Sequence, residues 1–135
     1  MSKLNPHLTY NGQCEAAFQL YERCLGGKIV TMLTWGNSPM AKDAPPEWGG
    51  KILHMSLTVG DLVFAGADVQ AYESPRGFAI TLSLSDAADA ERIFTALAEN
   101  GTVTVPLQET FWALRYGQVT DQFGIPWGIN CEKPV

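Results

Sequence analysis

The chain has 135 residues, of which 46% are hydrophobic and 17% are charged, and its mean hydropathy is -0.02. This length accommodates one compact domain or two small repeats that share a core, and the hydropathy argues against a disordered or membrane-embedded chain. Fourteen acidic and nine basic residues give a net charge of -5, so the chain lacks the basic surface that attracts nucleic acids and anionic lipids.

Strand and helix patterns alternate in the first half of the chain. Apolar side chains at spacings of three and four predict a helix over 13–25, which Gly26-Gly27 ends. Around this helix we expect strands over 8–10, 28–35, 52–59 and 62–65. The intervening segment 36–50, which contains three prolines, is predicted to be a long loop and a candidate flap.

The second half repeats this order. A strand over 78–84 leads to Ser85-Asp86, a typical helix N-cap, and to a helix that ends at Asn100-Gly101. Three further strands are predicted over 102–105, 113–120 and 126–131. We therefore predict an α+β fold, a single domain over 1–135 built from two β-α-β-β-β repeats at about 4–70 and 76–132.

Each predicted repeat is too small to bury a core alone, so the repeats should pair within the chain or with a second chain. A mixed sheet with helices on one face leaves its other face free to curve around a cleft, where a ligand would bind.

Nothing in the sequence indicates export or membrane insertion. The first residues show no signal-peptide pattern, and no stretch approaches the roughly 20 apolar residues of a transmembrane helix. The three cysteines, Cys14, Cys24 and Cys131, share no metal-binding spacing. We expect a cytoplasmic protein with three reduced thiols.

Several segments resemble a known family. Residues 6–12 (PHLTYNG), 108–113 (QETFWA) and 116–127 (YGQVTDQFGIPW) are similar to the PhnB-like branch of the vicinal oxygen chelate superfamily. This superfamily includes glyoxalases, bleomycin-resistance proteins and extradiol dioxygenases, and 20–27 (LYERCLGG) resembles the end of its first helix. The resemblance covers essentially the whole chain and implies the paired-repeat fold and a small-molecule ligand.

The resemblance also locates the positions that usually hold a divalent metal ion in this superfamily. There the metal is held by four side chains, two from each repeat, and acts as a Lewis acid. In this chain the four positions carry Pro6, Phe64 (or Ala65 in the neighbouring register), Ala79 and Gly128. These side chains cannot bind a metal ion, and we expect the nearby His7 to point to the opposite face of its strand. We therefore predict no cofactor, and keep a divalent metal at other residues as an alternative.

Other polar side chains are candidates for the cleft. Met55 and Leu57 share one face of their strand, and since that face should meet a helix, His54 should point to the cleft. By resemblance, His54, Asp68 (after the fourth strand) and Glu109 match PhnB-like motif positions. Together they would serve as general acid and base or as an unconventional metal site. The structural alternatives are a wall histidine, a turn carboxylate and a loop or dimer-contact acid.

Aromatic residues are candidate ligand contacts. Trp112, Tyr116 and Tyr10 are predicted to bind the ligand, because their rings would stack on a flat molecule. Trp127 is expected in the core. The tryptophans at the two ends of the proline-rich loop, Trp35 and Trp48, indicate a lid or a dimer seam.

Three functions are compatible with these features. The first is a protein that binds a flat or apolar-edged small molecule without the usual metal. The second is an enzyme that uses His54, Asp68 and Glu109, and the third sequesters a planar drug, as bleomycin-resistance relatives do. In each case we expect a homodimer, in which the two chains exchange elements in some relatives, and no nucleic-acid or membrane partner.

Relatives often carry the label 3-demethylubiquinone-9 3-methyltransferase. Binding of S-adenosylmethionine normally requires a Gly-x-Gly-x-Gly loop directly after a strand, and the glycines of this chain do not have that spacing. We therefore do not expect methyl transfer.

Overall fold

The computed structural model describes residues 3–134. These residues form two compact units, with the boundary between Tyr72 and Glu73. Each unit contains one four-stranded mixed sheet and one α-helix.

The first unit consists, in chain order, of β1 (His7–Tyr10), α1 (Cys14–Leu25), β2 (Lys28–Thr34), β3 (Ile52–Val59) and β4 (Leu62–Asp68). Its strand order is β1-β4-β3-β2; β1 is parallel to β4, and the other neighbours are antiparallel. Strand β4 extends beyond its predicted end, so Asp68 lies within the strand and not after it. The loop before β3 contains two short 3₁₀ turns, Ala41–Asp43 and Pro46–Trp48.

The second unit consists of β5 (Ile80–Leu84), α2 (Ala87–Ala98), β6 (Thr102–Gln108), β7 (Ala113–Thr120) and β8 (Pro126–Glu132). Its strand order, β5-β8-β7-β6, is the same arrangement as in the first unit. β5 is parallel to β8 and the remaining pairs are antiparallel. The predicted α+β fold of two β-α-β-β-β repeats is therefore confirmed.

Both helices bury the stripe that their periodicity predicts. In α1 this stripe comprises Cys14, Ala17, Phe18, Tyr21 and Cys24. In α2 it comprises Ala90, Ile93, Phe94 and Leu97. Trp127 is buried as expected, and its indole N–H donates to the carboxylate of Asp121 at 2.9 Å.

The glycine that follows each helix explains part of the repeat. A Cβ on Gly27 would collide with the carbonyl oxygen of Thr58, and a Cβ on Gly101 would collide with that of Thr120. In both units the chain leaving the helix passes against the third strand of the sheet, where only glycine fits. The two helix ends are therefore equivalent in structure as well as in sequence.

No helix in the described part of the chain is long and apolar enough to span a membrane.

Candidate functional site

Helix α1 covers one face of the first sheet, and the other face is here called the first open face. The strand register places His7, Ala65, Ser56 and Thr31 in one row across this face. The hydroxyl oxygens of Thr31 and Ser56 are 2.6 Å apart. The exposed His7 therefore lies on the open face, and the expectation that it points away from this face is wrong.

His54 also lies on the first open face. It pairs with Leu33 of β2, and its strand neighbour Met55 is fully buried on the opposite face. The side chain of His54 is exposed. The alternation along β3 thus predicted the face of this histidine correctly.

Asp68 lies on the face that α1 covers and is only 1% exposed. One carboxylate oxygen accepts a hydrogen bond from the backbone N–H of Cys14 at 2.9 Å, and the other accepts one from the N–H of Ile52 at 2.8 Å. These bonds tie β4 to the start of α1 and to the start of β3. The structure therefore gives Asp68 a structural role on the sheet face opposite His54, and the two side chains do not form an acid–base pair.

The thiol of Cys14 lies at the same helix start. Burial, the nearby charge of Asp68 and the charge of Glu15 all raise the pKa of this thiol. Because the thiolate is the reactive form, the raised pKa and the burial of the thiol both disfavour Cys14 as a nucleophile.

Tyr10 is also part of the core beneath α1. It is 1% exposed, its ring packs edge-on against Phe18 at 6.2 Å, and its hydroxyl donates to the hydroxyl of Tyr21 at 3.2 Å. This packing places Tyr10 on the helix-covered face, so we do not include it among the ligand contacts.

Glu109 belongs to the second unit, where it follows β6. Its carboxylate lies 3.1 Å from the ammonium group of Lys133, and both side chains are well exposed to solvent. An exposed ion pair of this kind contributes about 0–1 kcal/mol to stability.

The residues present do not fit the superfamily's usual metal ion. On the first open face, His7 has a ligand nitrogen, but its neighbour Ala65 has no ligand atom, and Phe64 is buried on the other face of the sheet. Ala79 and Gly128 in the second unit also lack ligand atoms. Within residues 3–134 no three or more His, Cys, Asp or Glu side chains are grouped so that they could hold a metal ion.

The second sheet has a helix-covered face and an open face as well. Ile129 and Cys131 are fully buried on the face that α2 covers. The other face, here called the second open face, carries a row formed by Ser83, Asn130, Tyr116 and Gln108. The next row contains Thr81, Gly128, Gln118 and Val105. Side-chain amides and hydroxyls therefore occupy the middle of this face.

An exposed aromatic cluster borders the second open face. Phe111 is 90% exposed and Trp112 is 44% exposed. The ring centroid of Trp112 lies 4.8 Å from that of Phe111 and 5.3 Å from that of Tyr116, both in edge-on geometry. The side-chain amide of Gln118 donates to the Tyr116 hydroxyl at 2.7 Å. The structure thus brings together Trp112 and Tyr116, two of the predicted ligand contacts, and leaves the hydroxyl proton of Tyr116 available for a further hydrogen bond.

Sequence reasoning did not single out Gln118 or Asn130. The signal that could have identified Asn130 is its position between Ile129 and Cys131, because alternation turns it away from the helix when its neighbours are core residues. Ser83, its neighbour on β5, also lines a cavity of about 550 Å³ together with residues that include Ser85 and Glu132. A second cavity, of about 390 Å³, lies at the start of α1 and is lined by residues that include Lys51 and Asp68.

The chain is similar over nearly its whole length to proteins of one superfamily. Residues 3–129 match the family described as Glyoxalase/Bleomycin resistance protein/Dioxygenase superfamily. Protein YjdN of Escherichia coli (strain K12) is 31% identical over 140 residues, which cover 96% of this chain and 95% of that protein.

Two solved structures share the fold of this chain. Protein PA1353 from Pseudomonas aeruginosa is 41% identical with a TM-score of 0.90, over 99% of this chain and 100% of that one. A Bacillus cereus protein named as a putative 3-demethylubiquinone-9 3-methyltransferase, PhnB protein, has a TM-score of 0.82 and 18% identity, over 96% of this chain and 99% of that one. The last similarity shows a shared fold, as the resemblance to the PhnB-like branch implied.

Proposed function

Because the chain belongs to the Glyoxalase/Bleomycin resistance protein/Dioxygenase superfamily, we propose that it binds a small, flat or apolar-edged molecule without the superfamily's usual metal ion. The ligand lies on the second open face, against Trp112 and Tyr116. The observation that carries this proposal is the 44% exposure of Trp112 beside Tyr116 and the amide of Gln118. An exposed aromatic surface next to oriented polar groups is typical of a ligand site.

The chemistry of this face defines the class of ligand. Aromatic rings stack on flat molecules and contribute about 0.5–1.5 kcal/mol beyond the burial of apolar area. The Tyr116 hydroxyl accepts from Gln118 and can donate its own proton to a ligand acceptor. Such a site fits a planar ring compound that carries polar substituents. Sequestration of a planar drug is one use of the same site, and recovery of the ligand unchanged would distinguish it from catalysis.

No observation favours the acid–base enzyme. His54 and Asp68 lie on opposite faces of the first sheet, and Glu109 is paired with Lys133. The methyltransferase name of the Bacillus cereus protein also does not transfer to this chain. The connections from β1 to α1 and from β5 to α2 are only a few residues long and lack a Gly-x-Gly-x-Gly loop.

Calorimetric titration with 1-naphthol, a flat bicyclic phenol, tests the proposed ligand class. We expect the wild-type protein to bind 1-naphthol and the Trp112→Ala variant to bind it about tenfold more weakly, because the stacking surface is removed. Leu62→Ala is the control, since it removes an exposed apolar side chain at the start of β4 in the first unit, and it should keep wild-type affinity. Equal affinity in the wild type and in Trp112→Ala would contradict the proposal.

We further propose that the protein is a cytoplasmic homodimer. The edge strand β2 exposes Val30 and Met32, and the edge strand β6 exposes Val103. Free sheet edges with apolar side chains are suited to contacts between chains. Sedimentation equilibrium should show a species of twice the chain mass; a single species of 14.7 kDa at all concentrations would contradict this.

A further inference from the structure

A polar cavity lies where β5 and β8 end, beside the second open face. The cavity has a volume of about 550 Å³, and its wall includes Ser83, Ser85 and Glu132. All three residues are exposed, so a ligand can reach their side-chain oxygens from solvent. Leu84 and Pro134 add apolar surface to the wall. A cavity of this size is large enough for part of a small molecule.

The chemistry of the cavity wall is acidic and rich in acceptors. Within residues 3–134 Glu132 forms no ion pair with a basic side chain, and the neighbouring Lys133 is paired with Glu109 at 3.1 Å. An ionised carboxylate only accepts hydrogen bonds, and the hydroxyls of Ser83 and Ser85 can accept as well. An ammonium group has a positive charge and only donors, so it complements this set of oxygens.

The strand register brings the carboxylate within reach of the aromatic cluster. Tyr116 pairs with Asn130, and Glu132 lies two residues further along β8, on the same face of the sheet. Diagonal neighbours of this kind have Cβ atoms about 7–8 Å apart. The backbone N–H of Lys133 also donates to the carbonyl oxygen of Trp112 at 3.4 Å, so the end of β8 passes beside Trp112. A ring that stacks on Trp112 can therefore extend a short arm to Glu132.

We propose that the ligand carries a positively charged amine, which binds Glu132 while its flat ring stacks on Trp112. This inference rests on the proposed function and specifies its ligand class as a ring compound with an aminoalkyl arm. The net charge of -5 also favours the approach of a cation. Glu132 is then the specificity-determining residue, whereas Trp112 provides affinity that neutral ring compounds share.

A matched pair of probes, 1-naphthylmethylamine and 1-naphthalenemethanol, separates these two contributions. The compounds share the ring system and a one-carbon arm, and only the amine is positively charged near neutral pH. By calorimetric titration we expect the wild-type protein to prefer the amine about fivefold, as for a solvent-accessible ion pair. Glu132→Gln keeps the size of the side chain and removes its charge, so it should bind both compounds with similar affinity.

Two controls test whether the preference comes from Glu132 itself. Glu99→Gln makes the same change of charge at an exposed position after α2, and it should keep the wild-type preference. An ammonium group above the Trp112 ring would also favour the amine. Glu132→Gln leaves that ring in place, so only a contribution of the carboxylate is lost in this variant. A higher salt concentration should reduce the wild-type preference, because exposed charges are screened.

The outcomes separate this inference from the proposed function. A wild-type protein that binds both probes equally, or a Glu132→Gln variant that still prefers the amine, overturns the role of Glu132 and leaves ring binding intact. If Trp112→Ala binds the amine as tightly as the wild type does, the ring and the amine do not occupy one site, and the inference fails. Binding of neither probe to the wild type overturns the proposed ligand class, and the inference with it.

Discussion

The two units share their strand order and their helix-ending glycine, but they stabilise the start of the helix differently. In the second unit the carboxylate of Asp86, directly before α2, accepts from the N–H of Ala88 at 3.0 Å. In the first unit Gln13 precedes α1 and makes no side-chain cap. There Asp68, at the end of β4, accepts from the N–H of Cys14. One helix start is thus fixed locally, and the other depends on the completed sheet.

This difference teaches how a carboxylate at a motif position can be misinterpreted. Asp68 resembles a site residue in the sequence, but its two oxygens connect three elements of one unit. The open faces also differ between the units. The first carries His7 and His54 and no aromatic cluster among the described residues, whereas the second carries exposed aromatic rings and amides. The repeats therefore preserve a common framework while the ligand chemistry that we propose belongs to the second unit.

We expect the largest decrease in the free energy of unfolding when the carboxylate of Asp68, which lies far from α1 in the sequence, is removed. Asp68→Ala leaves the buried N–H groups of Cys14 and Ile52 without acceptors, and hydrogen bonds to charged groups contribute about 1.5–3 kcal/mol each. We expect the free energy of unfolding to fall by about 4 kcal/mol in urea denaturation. Asp68→Asn, which keeps one oxygen acceptor, should lose less. A decrease below about 1 kcal/mol for Asp68→Ala would show that the sheet does not fix α1 in this way.

The second prediction concerns the Cys14 thiol, which should make the stability of the protein depend on pH. Below its ordinary pKa of 9.0 the Cys14 thiol is protonated in both the folded and the unfolded chain, so it adds no pH dependence. Above that pH the unfolded chain releases the proton and the folded chain keeps it, because the folded pKa is raised. The wild type should therefore lose about 1.4 kcal/mol of stability per pH unit through this group as the pH rises.

Urea denaturation at several pH values measures this slope, and Cys14→Ala is the comparison. Below about pH 9 the free energy of unfolding of Cys14→Ala should be lower than that of the wild type by a constant amount, because packing is lost. This difference should become smaller as the pH rises further, because only the wild type is destabilised by the titration of the thiol. Parallel pH profiles of the variant and the wild type would mean that Cys14 titrates normally in the folded protein.

Much of the fold followed from local patterns. The structure agrees with the predicted periodicity of α1 and α2 and with the predicted bounds of β3 and β7. It also agrees with the two glycines predicted to end the helices. The ends of β4 and β6 were predicted too early. Small residues in Ala65-Gly66-Ala67 and Pro106 weaken a strand pattern, and pairing with the neighbouring strands extends both elements regardless.

The candidate site was predicted in part, for physical reasons. Alternation correctly placed His54 on the open face. The rings of Trp112 and Tyr116 lie next to each other, and their role as ligand contacts stays a prediction. The burial of Asp68 and Tyr10 depends on contacts between distant segments, which one sequence does not reveal.

The smallest effect concerns the local cap and completes the comparison between the units. Asp86→Ala removes one hydrogen bond at the exposed start of α2, and the loss of such a cap typically costs about 1 kcal/mol. Asp86→Ser retains a side-chain acceptor and should restore most of the stability in the same urea denaturation. If one helix start is capped locally and the other by a distant residue, Asp86→Ala should lose clearly less free energy of unfolding than Asp68→Ala. If both variants lost the same stability, the start of α2 would depend on the packing of its unit as strongly as the start of α1 does.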